Sequence, residues 1–300
     1  MRITNKMNLP RPFVSAVERE YAYTPKRYSA TSVLNGARQS ILQRRHADEI
    51  EADASEMVWA IFGTAVHSIL EQAPETESQI KENKVTVQMP NGYELSGVFD
   101  LYDDETGTVT DYKTASIWKV KFGEFDDWRR QVLIYAWMLR EIGFDAKRGQ
   151  IVALLKDHSK AKAKIGEHPP LPVFQICWDF GERDFDEVRQ FLLGRFAQIE
   201  EAEKLPDDDL PICTGSERWE RGEAFAVIKK NTKRARKLFK TEDYGKEAEQ
   251  RAREYAAVIG DEFAVEHRPG VNVKCLDYCS AAPFCSFYRQ ITEEARDGER

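Results

Sequence analysis

The chain has 300 residues, room for about two domains of ordinary size and a sizeable core. Hydrophobic residues at 42% and charged residues at 32% exclude a disordered or collagenous chain, and no apolar run approaches the roughly 18 residues a membrane span requires. Lys and Arg number 44 against 51 Asp and Glu, a net charge of −7, so attraction for a polyanion must come from local patches.

In chain order, residues 1 to 55 are polar and mixed, with Pro10, Pro12 and Pro25 early and acids clustered from Asp48 to Glu56. They read as an arm or helical preface. The first residues hold no apolar stretch of signal-peptide length, which predicts a reducing cytoplasm and cysteines kept as thiols. From Ser55, an N-cap candidate, Val58, Trp59, Phe62, Val66, Ile69 and Leu70 recur at helical spacing and predict a helix to about Ala73 with that stripe on the core. His67 lies roughly 120° from the stripe's centre, facing solvent or a site at the helix edge.

Strands are predicted at Lys84 to Met89 and Tyr93 to Tyr102, joined by the turn signal Pro90-Asn91-Gly92, and at Thr108 to Thr114 after a turn ending in Gly107. Asp126 and Asp127 open an amphipathic helix carrying Trp128, Val132, Tyr135 and Leu139, with Gly143 at the C′ position. Gln150 to Lys156, nearly all apolar and so central, and Val173 to Trp178 read as strands. Cys177 in the second reads as a small buried hydrophobe. A helix from about Asp184 to Lys204 closes the block. The order predicts a mixed α/β core, a sheet flanked by helices, over residues 56 to 204. Residues 205 to 300 form a separate helical, cysteine-bearing module containing the acid-free run KKNTKRARKLFK: Lys229, Lys230, Lys233, Arg234, Arg236, Lys237 and Lys240. That run is either a DNA-backbone surface or a solvated helix face.

In TVTDYKT, Asp111 and Lys113 leave one face of their strand. If Asp103 pairs with Thr108, Asp100 falls opposite Asp111, and two opposed carboxylates repel unless a cation lies between them. Lys113 alone serves in an ordinary ion pair. Alternatively, Mg²⁺ or Mn²⁺ sits between the acids, with the lysine beside attacking water and developing phosphoryl charge. Gln131 and Tyr135, four apart, share one face of their helix.

The ordered set Gly63-x-x-x-His67, Gly97-Val98-Phe99-Asp100, Asp111-Tyr112-Lys113 and Gln131-x-x-x-Tyr135 resembles the PD-(D/E)XK nucleases of the RecB-like type. The resemblance implies a restriction-endonuclease-like core that hydrolyses DNA phosphodiesters with Mg²⁺ or Mn²⁺. It assigns His67, Asp100 and Asp111 as metal ligands, Lys113 as the catalytic lysine, and Gln131 and Tyr135 as residues holding the site. Cys275, Cys279 and Cys285 with the remote Cys213 resemble the iron–sulfur staple of helicase-nuclease relatives, implying a [4Fe–4S] cluster. Structural Zn²⁺ on these thiols, or with His267 replacing one, is the alternative, and plain thiols a third.

The resulting expectation is a metal-dependent exonuclease acting on linear DNA ends in phage-type recombination or repair. It would work in a bacterial or phage-infected cytoplasm, as a homo-oligomer or beside a single-strand annealing protein. A structure-specific endonuclease and a non-catalytic DNA-binding recombination protein of the same fold are the competing readings.

Overall fold

A computed structural model describes residues 1–18 and 23–298. The chain divides into two compact units, Met1–Pro211 and Ile212–Arg300.

The first unit begins with β1 (Arg2–Thr4), α1 (Arg11–Val17), β2 (Arg27–Ser29), α2 (Ala37–Arg45) and β3 (Glu51–Asp53). These residues, expected as an arm or preface, instead enter the main body. β2 pairs in parallel with a strand of the central sheet, and Tyr28, Ala30 and Val33 are fully buried in its core. Below them the Tyr28 and Tyr93 hydroxyls each donate to Glu203, at 2.6 Å.

α3 spans Val58–Glu71, and its start differs from expectation. Asp53 rather than Ser55 is the cap: its carboxylate accepts from the Ser55 N–H at 3.1 Å and the Ser55 hydroxyl at 2.6 Å, opening a 3₁₀ turn before the helix. The helix is also rotated. Val58, Trp59, Phe62 and Ile69 are exposed, whereas Gly63, Val66, His67 and Leu70 are half-buried. The Gly63 side is the one that faces the sheet: a Cβ there would lie in ordinary contact with Thr114 Oγ1, at 3.7 Å.

The sheet is completed by β4 (Gln79–Gln88), β5 (Glu94–Asp103), β6 (Thr108–Ala115), β7 (Arg148–Leu155) and β8 (Val173–Asp179), with α4 (Ile117–Phe122), α5 (Asp126–Glu141), α6 (Lys160–Lys164) and α7 (Glu182–Ala202) between and after them. Strand order is β2-β5-β6-β7-β8, with β4 on the other side of β5. The β6–β7 pair is parallel, whereas β4–β5, β5–β6 and β7–β8 are antiparallel. This is the mixed sheet that the element order predicts. β7 lies inside it with alternate residues fully buried, Ile151 and Ala153 among them. α5 supplies the largest share of the core, from Trp128 through Leu139, and ends as its sequence demands, with Gly143 at φ +101°. α7 adds Phe185, Val188, Leu192, Phe196 and Ile199. Cys177 is exposed rather than buried. It lies on β8, an edge strand whose alternate side chains leave the core.

The second unit, expected to be helical, also carries sheet. It comprises β9 (Glu220–Arg221), β10 (Ala224–Lys229), β11 (Ala235–Lys240), α8 (Thr241–Tyr244), α9 (Ala248–Ile259), β12 (Phe263–Arg268), β13 (Val271–Asn272), α10 (Val273–Asp277) and α11 (Ser286–Gly298). β11, β10 and β12 form an antiparallel three-stranded sheet. α9 covers it through Ala248, Ala252 and Ala256, packed with Val227 and Phe239. The basic run is therefore a hairpin, not a helix face, with all seven cations exposed on or between β10 and β11. Among the described residues, no helix is long and apolar enough to cross a membrane.

Candidate active site

The site is made where β6 parts from β5. The two strands pair only through Leu101↔Thr110, Tyr102↔Val109 and Asp103↔Thr108, around a turn in which Gly107 takes φ +65°. One residue further the ladder stops: the Tyr112 N–H donates to Asp100 Oδ2 at 2.7 Å. A side chain takes the place of a backbone carbonyl, so the strands diverge and the Asp100 carboxylate is held in the opening. Its other oxygen meets His67 Nδ1 at 3.2 Å. That hydrogen bond, opposed by burial, raises the imidazole's pKa.

Asp111 on β6 is almost wholly buried. Gln131 Nε2 donates to its Oδ1 at 2.8 Å, and Lys113 Nζ donates to Gln131 Oε1 at 2.8 Å. Lys113 Nζ also lies 2.7 Å from Asp111 Oδ2, so acid and lysine form an ion pair with Gln131 bridging its other side. Burial pushes the Asp111 carboxyl above the usual carboxylate range, Lys113 pulls it back and Asp100 repels it further. Gln131 is thus a spacer that fixes acid and lysine at one separation.

Tyr135, one turn along α5, is buried, and burial raises its hydroxyl's pKa with Asp111 and Asp100 adding to the effect. Its ring lies on Gly97: a Cβ there would sit 2.5 Å from Tyr135 Cε1. This accounts for glycine three residues before Asp100. Gly97→Ala is expected to cost about 1–3 kcal/mol, the usual range for overpacking a filled core, read as a lowered midpoint in denaturant unfolding.

One acid escaped the sequence reading. Glu82 of β4 interrupts the ladder between the pairs Lys81↔Leu101 and Asn83↔Phe99, beside Asp100. His67, Glu82 and Asp100 offer ligand atoms that all lie within 4.8 Å of one another. Glu82 takes φ +47°, a left-handed conformation that costs a non-glycine residue about 1–2 kcal/mol. Burial, then the Asp100 charge, raises its pKa. Counting back from Pro90-Asn91-Gly92 would have found it, but the predicted strand began at Lys84, two residues too late. The expected ligands divide accordingly: His67 and Asp100 stand with Glu82, while Asp111 turns to Lys113 and Gln131.

In the second unit, Cys213, Cys275, Cys279 and Cys285 are half-buried and, among the described residues, in no disulfide. Burial and then the neighbouring Cys279, Cys213 and Cys285 push the Cys275 thiol up to about 11, so the four sulfurs share one neighbourhood. Burial pulls the adjacent Lys274 ammonium down, opposed by Cys279 and Cys213. His267 is engaged elsewhere, 2.7 Å from Glu223 and stacked on Phe225. The hairpin cations are spread: Lys237 lies over Phe239 and Tyr255, Arg236 over Phe263, and Lys229 is 3.9 Å from Glu262.

The sequence profile of the PD-(D/E)XK nuclease superfamily matches residues 75–286. No curated protein matches the chain. Among solved structures, SSO0001 is 15% identical, with 57% of this chain and 77% of that chain covered and a TM-score of 0.42. An alkaline exonuclease from Laribacter hongkongensis is 13% identical, covering 60% and 90% at a TM-score of 0.37. A phage-related exonuclease from Haemophilus somnus is 11% identical, covering 56% and 74% at a TM-score of 0.27.

Proposed function

We propose, from the premise that this chain belongs to the PD-(D/E)XK nuclease superfamily, that it is a Mg²⁺- or Mn²⁺-dependent exonuclease hydrolysing linear DNA from its ends. The observation that carries the metal is the cluster of two carboxylates and one imidazole, Glu82, Asp100 and His67, whose ligand atoms all lie within 4.8 Å of one another, with the Asp111 charge near enough to act on His67. Hard oxygen donors with a single histidine fit Mg²⁺ or Mn²⁺. His67, Glu82, Asp100 and Asp111 would hold the ion, which supplies Lewis acidity to the phosphodiester. The chain's own part is positional: Lys113, braced by Gln131, offers a proton donor and positive charge beside the scissile phosphate. Asp100, tied to the Tyr112 amide, keeps the divided strands from closing over the site.

A division of labour follows, with residues 56–204 as catalytic core, preceded by residues 1–55, and residues 205–300 as the gripping module. Lys229, Lys230, Lys233, Arg234, Arg236 and Lys237 on the exposed hairpin suit a DNA backbone read without sequence. A [4Fe–4S] cluster on Cys275 and on Cys213, Cys279 and Cys285, which act on its thiol, would tie the loop at Cys213 to α10 and α11. Because the net charge is −7, DNA affinity should fall steeply with salt unless a ring of copies or an annealing partner adds contacts.

The test compares end-labelled linear duplex with a covalently closed circle of the same sequence, in Mg²⁺, Mn²⁺ or chelator. Nucleotides released from the linear form alone, and only with metal, are expected. Cleavage of the circle would replace the exonuclease with an endonuclease, and digestion in chelator would remove the metal.

The same acids give a pH signature. Asp111 has its folded pKa above the unfolded one, so its stabilising protonation is fully present below the ordinary carboxylate range and is lost as pH rises through the raised value. The metal-free protein should therefore lose stability over that window, and Mg²⁺ should raise Tm near neutral pH but not in acid. An equal shift at both pH values in calorimetry would contradict this.

A further inference from the structure

Just beyond Lys113, β6 runs into an unusual surface. The Lys156 N–H, at the end of β7, donates to the Ala115 carbonyl at 2.9 Å. Next to it Asp157 accepts from the Ser116 hydroxyl at 2.6 Å and the Ile117 N–H at 2.7 Å, clamping the start of α4. On α4, Trp118 and Phe122 stack with centroids 5.8 Å apart and 27° between planes, and Lys121 Nζ lies 4.7 Å over the Trp118 ring. On α3, Trp59 and Phe62 meet edge to face at 6.4 Å, and Lys156 Nζ sits 3.9 Å over the Trp59 ring. All four rings are open to solvent: Trp59 55%, Phe62 38%, Trp118 52% and Phe122 68%.

Single exposed aromatics need no explanation, but paired rings topped by lysines are another matter. Stacking is open to any base, because every base has a π-face, and the ammonium groups that lie over Trp59 and Trp118 are free to swing to a phosphate when a base takes their place on the ring. The Lys156 anchor is tied to the residue that ends β6, and Gly63 packs α3 on Thr114, so both ring pairs are fixed to the strand bearing Asp111 and Lys113. A protein partner would be served by the rings and have no use for the paired cations. Duplex DNA would present phosphates to the lysines but hide its base faces.

We propose that Trp59, Phe62, Trp118 and Phe122, with Lys121 and Lys156, form a platform that binds unpaired DNA leading to or from the candidate active site. The proposal rests on the nuclease reading for the substrate's identity, but its test does not require turnover. Binding of fluorescein-labelled oligo(dT) and of a blunt, closed-hairpin duplex is measured in chelator by anisotropy. The panel is the full-length protein, Trp118→Ala/Phe122→Ala, Trp59→Ala, and Lys121→Gln/Lys156→Gln. Because the side chains are exposed, Tm should be unchanged. Each aromatic variant is expected to bind oligo(dT) about tenfold more weakly, with duplex affinity intact, and the lysine variant to show a shallower salt dependence.

Unchanged oligo(dT) binding would overturn the platform, as would equal weakening toward duplex. Loss of a dimer in the aromatic variants, seen by sedimentation with oligo(dT) binding intact, would overturn it too, by giving the face to a second copy of the chain. If hydrolysis fails in every metal while the binding pattern holds, the catalytic reading falls and the platform stands.

Discussion

Lys113→Ala and Asp111→Ala should each lower kcat on linear DNA by about a thousand-fold or more, since removing one preorganised group that meets developing charge commonly costs that much. The two differ in how they fail. Lys113 touches Asp111 and Gln131 and offers no ligand atom to a cation, so its loss should act mainly on kcat rather than on metal affinity. Asp111→Asn should weaken metal binding as well, yet raise the Tm of the metal-free protein at neutral pH, because it deletes an ionised group that burial disfavours. Gln131→Leu keeps both charges and loses the spacer, so about a 10- to 100-fold loss is expected, in the range for groups that orient metal ligands. Glu82→Gln should weaken Mn²⁺ binding by a similar factor, read by titration calorimetry, and be partly rescued by excess metal. Wild-type rates in Asp111→Ala or Lys113→Ala would remove the hydrolytic assignment.

Much of this site could be read from residue order because its geometry is local. Gly107 fixes a tight turn, the turn fixes Asp103 against Thr108, and period-2 alternation then brings Asp100 and Asp111 to neighbouring positions. Where the sequence reading failed, a distant contact overrode a local pattern. The apolar stripe of α3 obeys helical spacing, but helical spacing cannot tell a core from a face left open for a ligand. The side turned to the sheet is that of Gly63, next to Thr114, together with Val66, His67 and Leu70. Glu82 was hidden by a left-handed backbone in a strand whose first half, Gln79-Ile80-Lys81-Glu82-Asn83-Lys84, holds a single apolar residue. The second unit's sheet was hidden because the charges of Ala235–Lys240 mask its strand pattern, although Phe239 is buried. Such lysines on an edge strand also deter pairing with other sheets.

The second unit should depend on its thiols for folding. Its buried cluster is Val227, Phe239, Ala248, Ala252 and Ala256, with Phe225, Tyr244, Tyr255, Ile259, Phe263 and Val265 packed around it; none of these lies in the segments that carry Cys213, Cys275, Cys279 and Cys285, so a tie between those segments adds to a core they do not supply. Cys213 is far in sequence from Cys275, Cys279 and Cys285, and a tie across that span restricts the unfolded chain strongly. A metal bound by these thiols as thiolates would add folding free energy, on the scale of the about 10–16 kcal/mol that structural Zn²⁺ contributes in zinc-finger peptides. Cys213→Ser and Cys285→Ser should therefore abolish cluster incorporation and lower the second unit's unfolding midpoint sharply. The first unit's transition should stay in place, because its core of Tyr28, Tyr102, Leu139 and Ile151 is complete without them. A brown protein with iron and sulfide in equal amounts, bleaching on oxidation, is the expected outcome for the purified chain. Zinc in place of iron would keep the staple and change the metal. Full stability in both serine variants would mean that the thiols hold nothing.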